Sequence, residues 1–469
     1  MPLVRKILEL PNKMKRKLLI VLILLLGSLQ FCLFADNRHL QQTAYTKQEL
    51  NLFVASYVTK EDYVGSWISM AIESFEKQNP EIKINLYYLS GQEDQIAIKA
   101  DTLFRSNKIS MDVVVLSGNL IFYFAQQGKL LPVNELFAEM GFDKDDRAFI
   151  NRTGEEKIYG ISSLYEYAGL YYNEKLFKKA NLPIPWEPKN WADIEQAIAE
   201  LRKIPDIYPI LMNIQKAEEL TTFVTVLTLL YGTNDPFYKD GKWFLHSQGL
   251  YDSLKFIHEC FNKDNLRTFY FCMDSSYQLL LKSKIVPEDK AGIILDRSDL
   301  IIFADKLDKN AGTNWKFVPM PTEFGQPPAF VSARRTIAAG IGSNTRNKKL
   351  SMELIKYLNE QDKIVSVANS TGLIPVNSNY LKNSQISDYM KYVASLRKYC
   401  LPRPSSMDYL RISKIIRTEI EILASGKVSP EESMKRIADI AALKIDPKNI
   451  VRLPVNFDSD TEENEQIKL

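Results

Sequence analysis

The residue types best suited to metal or nucleophilic chemistry are scarce in this chain, and their spacing supports neither. His39, His246 and His258 do not pair at metal spacing. His258-Glu259 lacks the second histidine that a zinc-binding helix requires. Cys260, Cys272 and Cys400 follow Cys32 without any CxxC, which leaves open a Cys260–Cys272 bridge or three separate buried thiols. No GxSxG, Walker loop, GxGxxG or HExxH occurs. The carboxylates Glu166 and Asp296 would serve glycoside hydrolysis only at a suitable separation, which sequence does not supply. What remains are polar loops with small residues: Thr59-Lys60-Glu61-Asp62, Ser90-Gly91-Gln92 and Ser117-Gly118-Asn119. Such loops suit recognition, and the expectation is a binding protein with no catalytic residues, no metal and no cofactor.

The elements around these loops give them a common position. Residues 51–58 form a β-rich apolar run, and Trp67, Ile68, Ala71, Ile72 and Phe75 recur at helical spacing until Asn79-Pro80. A strand at 82–89 and a helix at 92–104 with Ile96, Ala100 and Leu103 on one side follow. The unbroken apolar run 111–116 is the mark of a parallel strand covered on both faces. Alternating strands and helices imply right-handed crossovers in a largely parallel sheet. Ligands in such sheets sit beyond the carboxyl ends of the strands, where all three polar loops fall.

A second section begins at Tyr159-Gly160, with a strand at 166–173 and a short helix at 174–181. The loop 183–188 contains three prolines and cannot be helix interior. Asn190 caps a helix whose buried stripe is Trp191, Ile194, Ile198 and Leu201. A strand at 208–213 precedes an apolar helix at 218–231, and the buried strand 291–295 runs directly into Asp296, Arg297 and Asp299. Strands at 315–320 and 336–341 lead to a closing helix at 409–424, and Ser429-Pro430-Glu431-Glu432 starts another. Trp67 and Trp191 are expected in the core.

Near the start, Lys13, Lys15, Arg16 and Lys17 precede the apolar run 18–26, the layout of a secretory signal over residues 1–35. Leu29-Gln30-Phe31-Cys32 allows lipidation at Cys32, Leu33-Phe34-Ala35 allows cleavage after Ala35, and an uncleaved anchor is the third alternative. The location expected is periplasmic or cell-surface. Without residues 1–35 the chain holds 54 basic against 56 acidic side chains, so its net charge of +3 comes from that segment. A near-neutral body has no electrostatic footprint for nucleic acid. Its length suits two domains, or one large two-lobed unit, with buried cores, and the acidic stretch 456–469 reads as a disordered tail.

Four passages resemble the bacterial extracellular solute-binding proteins of the large sugar-binding group (family 1), which includes maltose-binding protein. The first is Trp67 with Ile72, Phe75, Glu76, Pro80, Ile82 and Lys83. The most specific runs from Tyr159-Gly160-Ile161 through Leu170-Tyr171-Tyr172-Asn173-Glu174-Lys175-Leu176-Phe177 to Asn190-Trp191-Ala192-Asp193. Gly372-Leu373-Ile374-Pro375-Val376 resembles a return crossing, and Ser425-Gly426-Lys427 with Ser429-Pro430-Glu431 resembles the closing helices.

The resemblance implies an α/β, two-lobed periplasmic-binding-protein fold (type II-like), each lobe a mostly parallel sheet flanked by helices. Hinge crossings are expected near Glu166-Tyr167, Val318-Pro319 and Gly372-Ile374. One lobe would be 47–166 plus 318–372 and the other 167–317 plus 373–455. The implied cleft residues are Lys60, Ser90, Ser117, Asn119, Glu166, Tyr167, Asn213, Gln215, Asp296, Arg297, Met407 and Tyr409. Their carboxylates and amides suit the hydroxyls of a neutral polyol, and an aromatic face suits a sugar ring. The chain departs from sugar binders in having Asp296-Arg297-Ser298 where tryptophan is frequent, and only Tyr409 on the closing helix. That admits a charged or phosphorylated solute held by Arg297 and Lys60. The implied function is capture of a small solute, most simply a sugar or oligosaccharide, by a monomer that delivers it to an ABC permease. The alternative is a tethered sensor or adhesion protein using the same fold without import. Alanine at Glu166 or Tyr409 is expected to abolish the ligand response while leaving the unliganded melt nearly unchanged.

Overall fold

The computed structural model describes residues 47–56, 63–106, 108–142, 146, 157–217, 219–262 and 266–457. The segment 1–35 with Cys32, His39, the loop Thr59-Lys60-Glu61-Asp62 and residues 458–469 of the tail lie outside the described residues.

Two compact units divide the chain, residues 1–49 with 78–83 and residues 50–77 with 84–469. In the first, the described backbone closes a turn: Gln48 N–H donates to the Glu81 carbonyl at 2.9 Å, and Ile82 N–H to that of Asn79 at 2.9 Å.

The described strands lie in two sheets. They are β1 (Gln48–Ser56), β2 (Ile82–Ser90), β3 (Val113–Ser117), β4 (Leu130–Leu131), β5 (Ile161–Asn173) and β6 (Tyr208–Met212). After β7 (Tyr238–Lys239) and β8 (Lys242–His246) come β9 (Ala291–Arg297), β10 (Trp315–Val318), β11 (Ser332–Gly342), β12 (Ile374–Pro375), β13 (Cys400–Pro402) and β14 (Ile450–Arg452). The main path runs β2-β1-β3-β11-β5-β9-β6, and β14-β8-β7 form a separate small sheet.

Parallel pairing holds at the outer strands, β1 with β3 and β6 with β9. Along the main path β5 and β11 pair antiparallel with their neighbours, because the chain returns through the middle of the sheet, while the short β13 joins β11 in parallel. The sheet is therefore mixed, with parallel flanks.

β5 joins the two halves. Its residues up to Tyr167 pair with β11, and from Ala168 onward they pair with β9. All thirteen of its residues are buried, so it shows no alternation of polar and apolar side chains. Gly169 allows this packing, since a Cβ there would run into the Phe317 ring.

The helices obey their local signals. α1 (Tyr63–Gln78) buries Trp67, Ile68, Ala71, Ile72 and Phe75, and ends ahead of Pro80. α2 (Glu93–Ser106) and α3 (Gly118–Gln126) follow the carboxyl ends of β2 and β3. Asn190 Oδ1 caps α4 (Trp191–Leu201) by accepting the Asp193 N–H at 2.9 Å. Ser406 caps α5 (Met407–Ala424), and Ser429 caps α6 (Pro430–Ala442) by accepting the Glu432 N–H at 3.1 Å. Trp191 is buried as expected, and Cys260, Cys272 and Cys400 are buried free thiols, so no Cys260–Cys272 bridge forms.

One expected helix differs in kind. Residues Thr221–Val226 form a π-helix before the α-helix Leu227–Gly232. Hydroxyls hold the widened turn: Thr221 donates to the Gln215 carbonyl at 2.8 Å, Thr222 to Ser413 at 3.2 Å and Thr225 to Asn213 at 2.8 Å. Such turns recur at functional sites.

Candidate functional site

The carboxyl ends of β2, β3 and β6 converge on one guanidinium. Arg403 grips Glu93, at the start of α2, with a fork of 3.0 and 3.1 Å. The same group donates to Glu219 at 2.8 Å and to Asn119 Oδ1 at 2.9 Å. Ser117 donates its hydroxyl to Glu93, and the Tyr409 hydroxyl lies 3.4 Å from Glu219. Phe223 and Tyr409 present ring faces to the guanidinium at 5.3 and 6.0 Å. Arg403 and Glu93 are each only 2% exposed. Two carboxylates thus share one buried cation.

Their protonation diverges accordingly. Burial and the charge of Glu93 push the Glu219 carboxyl up to about 7. Burial also raises Glu93, but Arg403 and Ser117 outweigh it and hold that carboxyl below its ordinary value.

A second network surrounds Glu166. Burial raises this carboxyl, but Arg335, directly opposite on β11, and Arg297 Nη1 at 3.7 Å bring it below its usual range. Arg297 also faces Asp299 at 3.5 Å and Asp296 at 3.7 Å. Asp296 accepts from Gln278 Nε2 at 3.0 Å, and the same amide nitrogen donates to Asn213 Oδ1 at 2.9 Å.

The sequence-derived site residues therefore fall into groups. Ser117, Asn119 and Tyr409 join the Arg403 network, while Glu166, Asp296, Arg297 and Asn213 join the second. Tyr167 lies apart, donating its buried hydroxyl to the Val393 carbonyl at 2.5 Å. Gln215 is buried and donates to the carbonyls of Cys272 at 2.7 Å and Asp274 at 2.5 Å. Ser90 is exposed, its carbonyl accepting from Lys99 at 2.5 Å, and Met407 is half-buried. Lys60 lies outside the described residues.

Sequence reasoning missed Glu93, Glu219, Arg335, Gln278 and Arg403. The one local signal for them was Arg403 set between Pro402 and Pro404, which fixes its backbone.

Beside Arg403 opens a groove of about 1020 Å³ whose walls include Phe122, Tyr231, Phe237, Tyr238 and Tyr399. Its volume is at the upper end of ordinary ligand clefts, about 300–1,000 Å³.

The raised carboxyls carry a stability prediction. Burial pushes Asp299 up to about 6, and burial with Asp252 and Asp235 pushes the half-buried Glu323 up to about 7. With Glu219, these groups hold protons in the folded state that the unfolded chain releases, so stability falls as pH rises from about 4 to about 7. His258, lowered by burial, opposes this weakly because it is half-exposed. The melting temperature is expected to be higher at about pH 5 than at about pH 7.5, with Glu219→Gln flattening the slope. A melt that rises across that interval would contradict it.

A family model described as "Bacterial extracellular solute-binding protein" matches residues 70–394. The chain belongs to the bacterial extracellular solute-binding proteins. A relative in Brucella abortus, named as a candidate binding protein, is 21% identical over 399 residues, covering 83% of this chain and 92% of the relative. The maltose-bound MalE3 of T. maritima superimposes with a TM-score of 0.69 at 16% identity, covering 84% of this chain and 100% of that one. An ABC transporter solute-binding protein of Thermotoga lettingae, bound with alpha-D-tagatose, gives 0.67 at 19%, covering 84% and 99%. The fold is the two-lobed one of these solute-binding proteins.

Proposed function

We propose that this solute-binding protein captures a sugar or oligosaccharide between its lobes and delivers it to an ABC importer. The observation that carries this reading is the convergence of three strand ends on Arg403 beside an aromatic groove. Amides, carboxylates and a guanidinium bond hydroxyls, and tyrosine faces pack on sugar rings. Relatives add support, since MalE3 carries maltose and a Pyrococcus horikoshii relative is named an ABC transporter extracellular-binding protein.

The lobes are taken as 47–166 plus 318–372 and 167–317 plus 373–455, hinged near Glu166-Tyr167, Val318-Pro319 and Gly372-Ile374. A solute touching both favours the closed form by the difference of its contacts in the two states. Lys60, Ser90, Ser117, Asn119, Asn213, Asp296, Arg297 and Tyr409 are taken to form or border its shell. Residues 1–35 direct export of a monomer, by lipidation at Cys32, cleavage after Ala35 or retention as an uncleaved anchor.

Binding to the folded state alone stabilises it by about 2.7 kcal/mol at about 100 times Kd. A saccharide and polyol panel is expected to contain at least one member that raises the melting temperature by several degrees. A panel of neutral and acidic members with no response would sink the reading.

A further inference from the structure

A second pocket, of about 730 Å³, lies beside the chain segment that leads into β11. Trp186, Phe317, Phe324, Phe330 and Tyr392 bring five aromatic rings to its lining. Trp186 is fixed in place: its backbone N–H donates to the Tyr172 hydroxyl at 3.3 Å, and its ring meets those of Tyr172 and Phe177 at 5.6 and 5.0 Å. Phe324 is 77% exposed, a large apolar ring left in water at the edge of the pocket.

The polar side chains of this pocket are already engaged. Glu187 pairs with Lys189 at 3.4 Å and Glu174 with Lys316 at 3.7 Å, so the charges of the described lining residues cancel. Asn190 spends its side-chain oxygen on the cap of α4. Sugar hydroxyls would find few partners here. An uncharged ring system gains instead from apolar burial and from the faces and edges of the aromatic lining.

This pocket and the groove of about 1020 Å³ are built on the two sides of one segment. Pro327, Pro328 and Val331 line the groove, while Phe324, Gly325, Ala329 and Phe330 line the second pocket. Phe330 sets its ring against that of Tyr399, a groove residue, at 4.0 Å. Ala329 holds a φ of 75°, a left-handed conformation that an alanine keeps only where its surroundings impose it. Trp191 Nε1 donates to the Pro321 carbonyl at 3.2 Å and Asn234 Nδ2 to that of Pro327 at 3.1 Å, which ties the segment down. A ring packed on Phe330 therefore bears on Tyr399 through a fixed wall.

We infer that this second pocket binds an uncharged aromatic molecule of one or two fused rings, and that its occupant acts on the groove through Phe330 and Tyr399. Binding in the pocket is independent of the saccharide reading above; the consequence for solute capture rests on that reading.

Indole titrated calorimetrically into the whole protein tests this. A dissociation constant of about 1 mM or tighter is expected, a modest affinity for a ligand of that size. Tyr392→Ala, at a position 44% exposed and outside the groove, should weaken indole binding about fivefold through loss of one aromatic contact. The cationic tryptamine and the anionic indole-3-acetate should bind no more tightly than indole, because the pocket offers neither charge a surplus partner. In protein carrying fluorotyrosine, the fluorine resonance of Tyr399, identified by its loss in Tyr399→Phe, should shift when indole is added. Phe330→Leu should remove that shift.

Absence of indole binding, or binding unchanged in Tyr392→Ala, would overturn the site. Tighter binding of either charged relative would overturn the uncharged assignment, and a Tyr399 resonance unmoved by bound indole would overturn the action on the groove. Indole binding with the expected shift, in a protein that answers no saccharide, would support this inference and sink the saccharide reading alone.

Discussion

Arg403→Met is expected to destabilise the protein by about 3–5 kcal/mol, because removing one partner of a buried ion pair leaves the other charges uncompensated. Methionine keeps nearly the length of the arginine stem, while the guanidinium and its contacts with the Phe223 and Tyr409 ring faces are removed. The loss then reports the charged head group rather than the stem. Glu93 would remain fully buried with only Ser117 donating among its partners named above, and Glu219, 17% exposed, would face it without a cation between them. Both carboxyls would respond by holding protons to higher pH. The variant should therefore recover as pH falls from about 8 toward about 5, a window well above the ordinary carboxylate range of about 4. Adding Glu93→Gln and Glu219→Gln should restore at least half of the lost stability at neutral pH. Denaturant unfolding of the parent, the single and the triple variant measures this. A single variant as stable as the parent at about pH 8 would show that Arg403 contributes no net stabilisation.

That arrangement also explains what was and was not readable along the chain. The apolar run leading into Ser117 is a strand in any context, because continuous burial needs no knowledge of partners. Asn190 and Ser429 announce their helices, since a cap acts on an N–H three residues away. The π-turn at Thr221–Val226 was not legible as such, because one of its anchors, Ser413, is 191 residues away. Arg403 stands 310 residues from Glu93 and 184 from Glu219, and no local pattern encodes such a meeting. Reading polar loops at strand ends therefore brought Ser117 and Asn119 forward. The charged side chains that connect those loops needed the folded chain. Glu166 was legible as a polar residue in a strand, and only the structure gives it Arg335 and Arg297 as neighbours.

Glu166→Gln is the second large effect expected, about 3 kcal/mol, the lower end of the range for breaking a buried pair. Two facts set that estimate. Glu166 is buried where β5 changes partners, so its charge organises both halves of the sheet. Arg297, however, keeps Asp296 and Asp299 after the substitution, and only Arg335 loses its named carboxylate. The sequence-based expectation of an unchanged melt for an alanine at Glu166 or Tyr409 therefore gives way, since both side chains are buried in the unliganded fold. The sign of the pH effect separates this site from Arg403. Because the Glu166 carboxyl lies below its unfolded value, its contribution is present above about pH 4.5 and disappears as pH falls through the folded value. The difference between parent and Glu166→Gln should stay constant from about pH 8 to about pH 5 and close only in more acid solution. The Arg403→Met difference should already be shrinking across that interval. Melting curves of both variants over the same pH series distinguish them, and a Glu166→Gln difference that closes between pH 8 and 5 would mean that this carboxylate is not held ionised by its two arginines.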